Sequence, residues 1–420
     1  MTRSKALKKK IAVIGLGYVG LPLAIAFGER YHVLGYDLNK KRIDELKKKY
    51  DRNLEISKKD FVKSKFIEFS NKKDDLNNYE VFIITVPTPL KKNKTPDLKS
   101  LIHATIIAAK YIKKKSIIIY ESTVYPGTTE EICLPLIEKI SKLKVNRDFI
   151  LGYSPERINP GDKVHTLKKI TKIVSASNKF GLKEIKRIYQ SIIKPKIYSV
   201  NSIKIAEAAK IIENTQRDLN IALMNELTQI FDKLEINIYE VLSAAKTKWN
   251  FLNFSPGLVG GHCIGVDPYY LTYKAKKIGL NPKIILAGRK VNDGMPEYIL
   301  ERIIKNLKEK KIKFNNLKFL ILGATFKENC NDTRNSKSLE LCEKISHKFK
   351  NVDMFDPYLK GNDFENYKFN FLNKIPNKKY EVVIIAVKHD FFVKMGLKKI
   401  QKLLKKNHVL YDVKNLLKKN

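Results

Sequence analysis

Two segments far apart in the chain are almost identical, and they constrain the fold more than any other feature of the sequence. Tyr79–Val86 is YEVFIITV and Tyr380–Val387 is YEVVIIAV. Three further short apolar runs recur around them in the same order. The matched pairs are Ile11–Gly15 with Phe319–Gly323, Val33–Asp37 with Val352–Asp356, and Ile117–Glu121 with Val409–Asp412. Four matches in order indicate two related halves.

Short β-branched runs alternate with longer helical patterns, which is typical of doubly wound parallel sheets. In the first part, strands are predicted at 11–14, 32–36, 81–86, 116–120, 149–152 and 172–175. Between the halves, Ile203–Leu234 has helical apolar spacing and no proline, which predicts one long connecting helix. We expect an α/β fold with two Rossmann-like parallel-sheet domains joined by a central helical segment, with domains at 1–200, 201–300 and 301–420. Because such a helix often packs against its copy, a homodimer or higher homo-oligomer is expected.

The first strand leads into a glycine-rich turn, Gly15-Leu-Gly17-Tyr-Val-Gly20, followed by a helical pattern. In such a turn the first glycine makes the tight bend, the second lets the backbone approach a pyrophosphate, and the third lets the helix pack on the strand. The next strand ends in Asp37, where a carboxylate accepts hydrogen bonds from the ribose and repels a 2′-phosphate. The pattern predicts a dinucleotide site and favours NAD over NADP.

The composition is that of a globular protein, with 420 residues and 43% hydrophobic content. The formal charge of +39 would ordinarily suggest nucleic-acid binding. Here the basic residues are mostly lysines spread along the whole chain, so we expect no nucleic-acid partner, although a positive field favours an anionic small substrate. No segment has the continuous apolar length of a membrane span, and no membrane partner is expected.

The four cysteines, at 133, 263, 330 and 342, are too far apart for a zinc ligand set and too sparse for a disulfide framework. We therefore expect no metal site and a reducing compartment. The apolar stretch near the N-terminus belongs to the glycine-rich turn and its helix rather than to a signal peptide, so a cytoplasmic location is expected.

Cys263 lies in a loop with few bulky side chains, Pro256-Gly-Leu-Val-Gly260-Gly-His-Cys-Ile-Gly-Val-Asp267. A thiol presented by such a loop can be approached closely by a substrate carbon, and an acid beside it can manage protons. Combined with a nicotinamide site, this indicates a dehydrogenase that captures its own aldehyde. His262 beside the thiol is either a base or a hydrogen-bonded spacer, and the second reading is favoured.

Seven motifs together carry a family resemblance. They are Gly15–Gly20, Val86-Pro-Thr-Pro89, Glu121-Ser-Thr-Val124, Ser154-Pro-Glu-Arg157, Lys210 with Asn214, Gly260-Gly-His-Cys263 with Asp267, and Phe326-Lys327 through Asp332-Thr-Arg334. The chain resembles the UDP-glucose/GDP-mannose dehydrogenase family over almost its entire length. Within that family, Lys248–Leu252 and the cysteine loop are most similar to the UDP-N-acetylhexosamine 6-dehydrogenases of Vi-antigen and O-antigen pathways.

The resemblance implies an NAD-dependent four-electron oxidation of a sugar C6 hydroxyl on UDP-GlcNAc or UDP-GalNAc, for surface polysaccharide biosynthesis. Cys263 would form a thiohemiacetal with the aldehyde and then a thioester, which water hydrolyses to the uronate. By the same resemblance Lys210 stabilises an oxyanion, Asn214 hydrogen-bonds the reacting centre and Asp267 orients or activates water. Lys210 and Asn214 are four residues apart, on one helix face, and Arg217 is a sugar or phosphate contact.

Glu156 follows a predicted strand, where α/β sheets place their chemistry, and would direct the hydrolytic water with help from the Thr123 hydroxyl. The UDP-glucose enzymes carry a second acid four residues later, whereas this chain has Pro160 there. Because no second acid is present there, we expect Glu156 and Asp267 to serve as the acids of the hydrolytic step. Arg157 and Ile158 would contact the sugar nucleotide instead.

The resemblance assigns the remaining site residues to two groups. The substrate contacts are Lys210, Asn214, Gly260, Phe326 and Lys327, besides those already named. The cofactor contacts are Gly15, Gly17, Tyr18, Val19, Gly20, Asp37, Arg42, Thr85, Pro87, Thr88, Thr123 and Arg334, the last possibly acting across subunits. Asp356, which matches Asp37 in the second half, is assigned to no ligand.

Two other substrates and two other classes of protein stay open. UDP-glucose and UDP-N-acetylmannosamine are the alternative substrates. A two-electron hydroxyacid-type dehydrogenase would share the nucleotide motif and the long helix but would not need Cys263. The alternative of a non-catalytic binding protein rests on a single observation, the high net charge.

Overall fold

The computed structural model describes residues 7–158, 164 and 166–417. They form two compact units. The first extends to Glu213 and includes Tyr269–Leu280, and the second comprises Asn214–Pro268 and the chain from Asn281 onward. The division at residues 200 and 300 stays a prediction.

The first unit contains an eight-stranded sheet covered by helices. Its strands are β1 (Leu7–Ile14), β2 (Tyr31–Tyr36), β3 (Ile67–Ser70), β4 (Val81–Ile84), β5 (Ile117–Tyr120), β6 (Ile150–Tyr153), β7 (Ile173–Ala176) and β8 (Tyr198–Ser199). Its helices are α1 (Gly20–Phe27), α2 (Lys40–Lys47), α3 (Lys58–Lys63), α4 (Lys99–Tyr111), α5 (Leu134–Ser141) and α6 (Lys179–Gln190), with a π-helix at Thr129–Cys133 and a 3₁₀-helix at Lys73–Asn78. The strand order is β3-β2-β1-β4-β5-β6-β7-β8.

Both faces of this sheet are buried. Ile11 and Val13 of β1 belong to one apolar cluster, whereas Ala12 and Ile14 belong to another. Because successive side chains of a strand point to opposite faces, a strand between two helical layers needs a continuous apolar run. The same runs made these central strands predictable.

The sheet differs from the prediction at β7 and at its edges. β7 is antiparallel to β6, and all other neighbours are parallel. None of the described residues between β6 and β7 is helical, and an antiparallel neighbour needs no crossover helix. The edge strands β3 and β8 were not predicted because they are short and partly exposed.

The second unit contains a five-stranded, fully parallel sheet. Its strands are β9 (Lys318–Leu322), β10 (Asn351–Phe355), β11 (Asn370–Leu372), β12 (Tyr380–Ile385) and β13 (Leu404–Asp412). The remaining helices of the chain are α7 (Ile203–Lys233), α8 (Ile238–Ala245), α9 (Asp267–Lys277), α10 (Lys283–Glu309), α11 (Lys337–Lys348) and α12 (Asp390–Gln401, interrupted at Gly396), with a 3₁₀-helix at Gly361–Phe364. The strand order is β11-β10-β9-β12-β13. The predicted α/β fold with two such sheets and a central helical segment is confirmed.

The internal repeat extends to backbone detail. The order β11-β10-β9-β12-β13 reproduces β3-β2-β1-β4-β5 strand for strand. Gly15 and Gly323 follow the first strand of each half, and both have a φ of 97°. Asp37 accepts a hydrogen bond from Leu16 N (2.8 Å), and Asp356 accepts the equivalent bond from Ala324 N (2.7 Å). The four sequence matches therefore mark a true structural repeat.

The halves differ where a ligand would bind. α1 begins six residues after β1, with no side chain capping its N-terminus, whereas α11 begins at Lys337, fifteen residues after β9, and is capped by Ser336. Asp356 is fully buried beside His389, whose Nε2 lies 3.0 Å from Asp356 Oδ2. Burial raises the pKa of Asp356, but the hydrogen bond and attraction of His389 and the backbone hydrogen bonds from Ala324 and Tyr358 together lower it more, so the net pKa shift is downward. In the second half this acid is a structural group.

Helix α7 buries several polar side chains and exposes several apolar ones. Glu207, Asp218 and Asn225 are fully buried, at spacings of eleven and seven residues that return to one side of a helix. Exposed apolar side chains with the same spacing lie on the opposite side. We call these four residues the α7 apolar stripe: Ile205, Ile212, Leu223 and Ile230.

Two features are absent from the ranges 7–158, 164 and 166–417. No helix there has both the length and the apolar character needed to cross a bilayer. No three His, Cys, Asp or Glu side chains are grouped as metal ligands would be.

Candidate active site

The glycine-rich turn between β1 and α1 is built for close backbone approach. A side chain at Gly20 would place its Cβ 1.8 Å from Gly15 O, whereas a Cβ at Gly17 would meet no heavy atom within 4 Å. Val19 occupies the N-cap position of α1 without a side-chain cap, so backbone N–H groups of the first turn are left for a ligand. Tyr18 lies in the same turn and is partly buried.

Asp37 lies at one end of a cavity of about 170 Å³, at the carboxyl ends of β1, β2 and β4. The other walls include Leu38, Val86, His103 and Ala104. Oδ2 of Asp37 accepts from Leu16 N and Oδ1 from Asn39 N, which fixes the orientation of the carboxylate. A half-buried, oriented carboxylate beside an apolar cavity fits the adenosine half of NAD.

Thr85 and Arg42 contact the backbone of the glycine-rich turn. The Thr85 hydroxyl donates to Gly15 O (2.7 Å). Arg42 Nε donates to Leu16 O (3.0 Å), and its guanidinium pairs with the buried Asp51 at 2.8 Å. Both side chains therefore support the shape of the turn, and a direct contact of either with the cofactor stays a prediction.

The segments after β4 and β5 are joined to each other. Thr88 Oγ1 donates to Thr123 O (2.6 Å), and Ser122 Oγ donates to Val86 O (2.7 Å). Tyr270 OH, at the start of α9, donates to Thr88 O (2.5 Å). The structure thus brings Thr88 and Thr123 together, next to the exposed Pro87.

Glu156 is buried immediately after β6. Its Oε1 accepts hydrogen bonds from Arg157 N (2.7 Å) and Ile158 N (2.5 Å). Its Oε2 has no hydrogen-bond donor in the described part of the chain and lies 3.6 Å from the Lys172 ammonium. Pro160, which distinguishes this chain, belongs to residues 159–163, which lie outside the described residues.

The other predicted residues of the first unit differ in exposure. Lys210 is buried, with 7% of its surface exposed, as an oxyanion-stabilising lysine requires. Arg157 is exposed, and its guanidinium pairs with Glu213 at 2.8 Å and donates to Thr171 O. Ile158 packs at the margin of the core.

In the second unit, Cys263 occupies a turn immediately before α9. Its carbonyl accepts from Val266 N (3.0 Å) and Asp267 N (2.8 Å), which starts the helix. A Cβ at Gly260 would lie 2.4 Å from Asn335 O, and one at Gly261 would lie 2.4 Å from the Phe326 ring. Both glycines are therefore required by close packing, and the thiol stays partly exposed.

The substrate contacts predicted at Gly260, Phe326 and Lys327 come together at this turn. Phe326 packs edge-on against His262, with ring centroids 5.7 Å apart. Lys327 Nζ lies 5.6 Å from the Phe326 ring centroid. A cation and an aromatic ring next to a backbone turn suit an anionic nucleotide.

His262 is hydrogen-bonded to an acid. Asp332 Oδ2 lies 3.5 Å from its Nδ1, and Arg334 NH2 donates to the same carboxylate oxygen at 2.5 Å. Burial lowers the pKa of His262, but hydrogen bonds to Asp332 and Cys263 raise it more, to about 9. Arg334 therefore lies beside the residue that precedes Cys263, and its predicted contact with NAD stays a prediction.

Asn214 and Asp267 form a direct hydrogen bond. Asn214 Nδ2 donates to Asp267 Oδ2 at 2.5 Å. Asp267 is buried with 1% exposure, whereas Arg217, which lies on α7 with Asn214, is exposed. The two predicted catalytic side chains are thus paired within the second unit.

Two of the remaining cysteines, Cys133 and Cys342, are buried, whereas Cys330 is partly exposed like Cys263. Burial raises the pKa of Cys133 to about 12 and raises that of Cys342 as well. Cys330 is partly buried, and burial raises its pKa also. All four thiols are free.

The burial and pairing of several charged residues around these sites were not predicted from the sequence. Lys172 and Glu121 are fully buried and paired at 2.5 Å, and Glu207 accepts hydrogen bonds from Gly127 N (2.6 Å) and Thr129 N (2.9 Å). Asp218 pairs with Arg289 at 2.6 Å. The only signal in the sequence was the position of Glu121 directly after a predicted strand.

The chain matches all three parts of one family model. Residues 9–193 match the NAD binding domain of the UDP-glucose/GDP-mannose dehydrogenase family, residues 204–294 its central domain, and residues 320–419 its UDP binding domain. The predicted NAD cofactor is confirmed by the first match.

Relatives and solved structures match over nearly the full length. A UDP-N-acetyl-D-glucosamine 6-dehydrogenase of Pseudomonas aeruginosa is 48% identical, over 97% of each chain. One of Salmonella typhi is 48% identical over 97% of this chain and 96% of its own. The structure of a UDP-D-ManNAc dehydrogenase from Pyrococcus horikoshii superposes with a TM-score of 0.88, at 31% identity, covering 98% of this chain and 96% of that one.

The glycine-rich turn provides a matched pair of variants. Gly20→Ala would force its Cβ against Gly15 O, so we expect the free energy of unfolding to fall by about 1–3 kcal/mol. Gly17→Ala has open space, so stability should change by less than about 0.5 kcal/mol while NAD binding weakens. Denaturant unfolding and NAD titration of both variants check this. Wild-type NAD affinity in Gly17→Ala would contradict the assignment of the turn.

Proposed function

The chain belongs to the UDP-glucose/GDP-mannose dehydrogenase family and is an NAD-dependent UDP-sugar dehydrogenase, and from this premise we propose that it oxidises C6 of a UDP-N-acetylhexosamine, UDP-GlcNAc or UDP-GalNAc, to the uronate. The observation that carries the proposal is the partly exposed Cys263, presented by two obligatory glycines next to Phe326 and Lys327. Four electrons are removed in two oxidations.

The substrate class is supported by sequence distance. Relatives at 48% identity are named UDP-N-acetyl-D-glucosamine 6-dehydrogenases, whereas the UDP-N-acetyl-D-mannosamine dehydrogenases are 32–34% identical. The resemblance to enzymes of Vi-antigen and O-antigen pathways supports a role of the product in surface polysaccharide biosynthesis.

Covalent capture solves a physical problem, because a free aldehyde would escape or hydrate before the cofactor is exchanged. When bound, NAD accepts the hydride in each of the two oxidations. The Cys263 sulfur bonds to the aldehyde carbon and the oxygen takes up a proton, giving a thiohemiacetal. Loss of the second hydride from that carbon, together with the hydroxyl proton, leaves a thioester. Water then replaces sulfur on that carbon and releases the carboxylate and the thiol.

The surrounding residues would provide charge and proton transfer. Lys210, buried on α7, stabilises the developing oxyanion. Asp267, oriented by Asn214 Nδ2, and Glu156, with its oriented carboxylate, act on the hydrolytic water. Lys327, Arg217 and Arg157 supply positive charge for the diphosphate.

The proposed oligomer is a homodimer or a higher assembly that includes the same pairing. The α7 apolar stripe extends along most of a 31-residue helix and is exposed to solvent in a single chain. Exposed apolar surfaces of this length mark interaction sites. A second copy, packed stripe against stripe in a two-fold arrangement, would bury the same side chains on both subunits.

An NADH assay over a panel of UDP-sugars tests the reaction. We expect two NADH for each sugar consumed and the highest kcat/KM with UDP-GlcNAc or UDP-GalNAc, compared with UDP-glucose and UDP-ManNAc. One NADH per sugar would indicate a two-electron enzyme and contradict the four-electron proposal. A clear preference for UDP-ManNAc would contradict the substrate assignment alone.

Replacing Cys263 tests whether its sulfur captures the aldehyde covalently. Cys263→Ser should reduce net uronate formation by at least about 10³-fold, because the hydroxyl is a far weaker nucleophile than a thiolate. Cys330→Ser is the matched control, since Cys330 is the other partly exposed cysteine and its variant should keep full turnover. Uronate measured by chromatography at wild-type rate in Cys263→Ser would rule out covalent catalysis at this residue.

The α7 apolar stripe can be tested by charge. Leu223→Glu with Ile230→Glu should shift the protein from dimer to monomer in sedimentation equilibrium, because a buried glutamate pair at an interface is unfavourable. Leu54→Glu, at an exposed leucine elsewhere in the first unit, should leave the assembly unchanged. An unaltered oligomeric mass in the double variant would contradict the proposed interface.

A further inference from the structure

A fully buried lysine lies among acids at one edge of the first sheet. Lys172 Nζ contacts Glu121 Oε2 at 2.5 Å, Pro155 O at 3.1 Å and Glu156 Oε2 at 3.6 Å. The Tyr189 hydroxyl, from α6, donates to the second oxygen of Glu121. Lys172, Glu121 and Tyr189 have no exposed surface.

The antiparallel strand explains how this group is assembled. Glu121 and Glu156 follow the carboxyl ends of the parallel strands β5 and β6. Lys172 immediately precedes β7, and because β7 is antiparallel to β6, its start lies at the edge where β6 ends. A parallel β7 would carry the lysine to the opposite edge. The antiparallel direction of β7 therefore places the Lys172 ammonium beside the carboxylates of Glu121 and Glu156.

Such a group is poorly explained by stability. Removing an ammonium and two carboxylates from water is costly, and a buried ion pair often contributes no more than apolar side chains of the same volume. Burial raises the pKa of Glu121, which the ammonium of Lys172 partly offsets. Burial lowers the pKa of Lys172, but the facing carboxylates Glu121 and Glu156 raise it more. The lysine thus stays charged, and clusters of this kind concentrate at functional sites.

The geometry of Glu156 indicates what the cluster does. Backbone N–H groups fix its Oε1, while Oε2 faces only the Lys172 ammonium in the described part of the chain. The other charged neighbour, Arg157, is directed to Glu213. Among the residues that the structure describes, Lys172 supplies the ion pair to Oε2, and Glu121 holds the Lys172 ammonium.

We propose that Lys172, anchored by Glu121, is a positioning residue that holds the Glu156 carboxylate in place for thioester hydrolysis. This rests on the proposed function, in which Glu156 acts on the hydrolytic water. The water oxygen bonds to the thioester carbon and one water proton goes to Glu156 Oε2. The C–S bond breaks with its electron pair on sulfur, and the proton taken up by Glu156 passes to that sulfur, which restores the thiol and the carboxylate. The second water proton leaves as the product acid ionises.

The test compares the pH dependence of kcat in the wild-type enzyme and two variants of Lys172. In Lys172→Met the acidic limb should move to higher pH by roughly one unit or more, because a carboxylate without its neighbouring cation is protonated more readily. The thioester adduct, measured by intact mass in the steady state, should accumulate while KM for the sugar stays unchanged. Lys172→Arg, which keeps the charge, should restore most of the wild-type profile.

Two further variants exclude a merely structural effect. Lys172→Met combined with Glu121→Gln removes both charges of the pair, so no unpaired Glu121 carboxylate is left buried. Its acidic limb should still lie above the wild-type limb, but below that of Lys172→Met, because the Glu121 charge that repels Glu156 is removed as well. Lys168 lies four residues before Lys172 and forms a partly exposed ion pair with Glu29. Lys168→Met breaks that pair and should leave the pH profile unchanged.

Failure of the role of Lys172 can be distinguished from failure of the proposed reaction. A lower kcat at every pH with an unmoved acidic limb and no adduct would overturn the role of Lys172 and leave the reaction intact. If the wild-type enzyme itself gives one NADH per sugar, the proposed function fails before any variant is made.

Discussion

The burial of polar side chains along one side of α7 is the constraint from which the rest of the structure follows. Glu207, Asp218 and Asn225 are removed from water, and each must find partners inside the protein. Glu207 accepts from the backbone ahead of α5, Asp218 pairs with Arg289, and Asn225 bonds both N and O of Gly257 in the chain leading to Cys263. On the opposite side, α7 presents isoleucine and leucine to solvent, and these side chains form the surface that we propose a second copy covers.

The two sheets show how one framework serves two tasks. Strand order, the glycine at φ 97° and the strand-end aspartate are reproduced, so the backbone hydrogen bonds that shape the turn are the same. The difference lies in which groups remain open. Asp37 faces a cavity, whereas Asp356 is covered by His389. The two halves therefore share a backbone framework without sharing a ligand, because the ligand depends on a few side chains at the strand ends.

Much of the fold was predictable because central strands buried on both faces need continuous apolar runs, and the long helix from Ile203 matches its predicted end within one residue. Edge strands such as β3 and β8 lack that signal, and the direction of β7 has no local signature. Among the site residues, Cys263 and the glycine-rich turn are recognisable from local spacing. Lys172 is not, because in a chain with 82 lysines and arginines a single buried lysine looks like any other until distant strands are paired.

The central claim is that one sulfur retains the oxidised carbon while the cofactor is exchanged. Enzyme quenched in acid during turnover with UDP-GlcNAc or UDP-GalNAc, digested and analysed by mass spectrometry, tests it most directly. The account predicts an acyl adduct of the sugar nucleotide on the peptide that contains Cys263. An adduct on another cysteine, or unmodified Cys263 throughout turnover to the uronate, would contradict it.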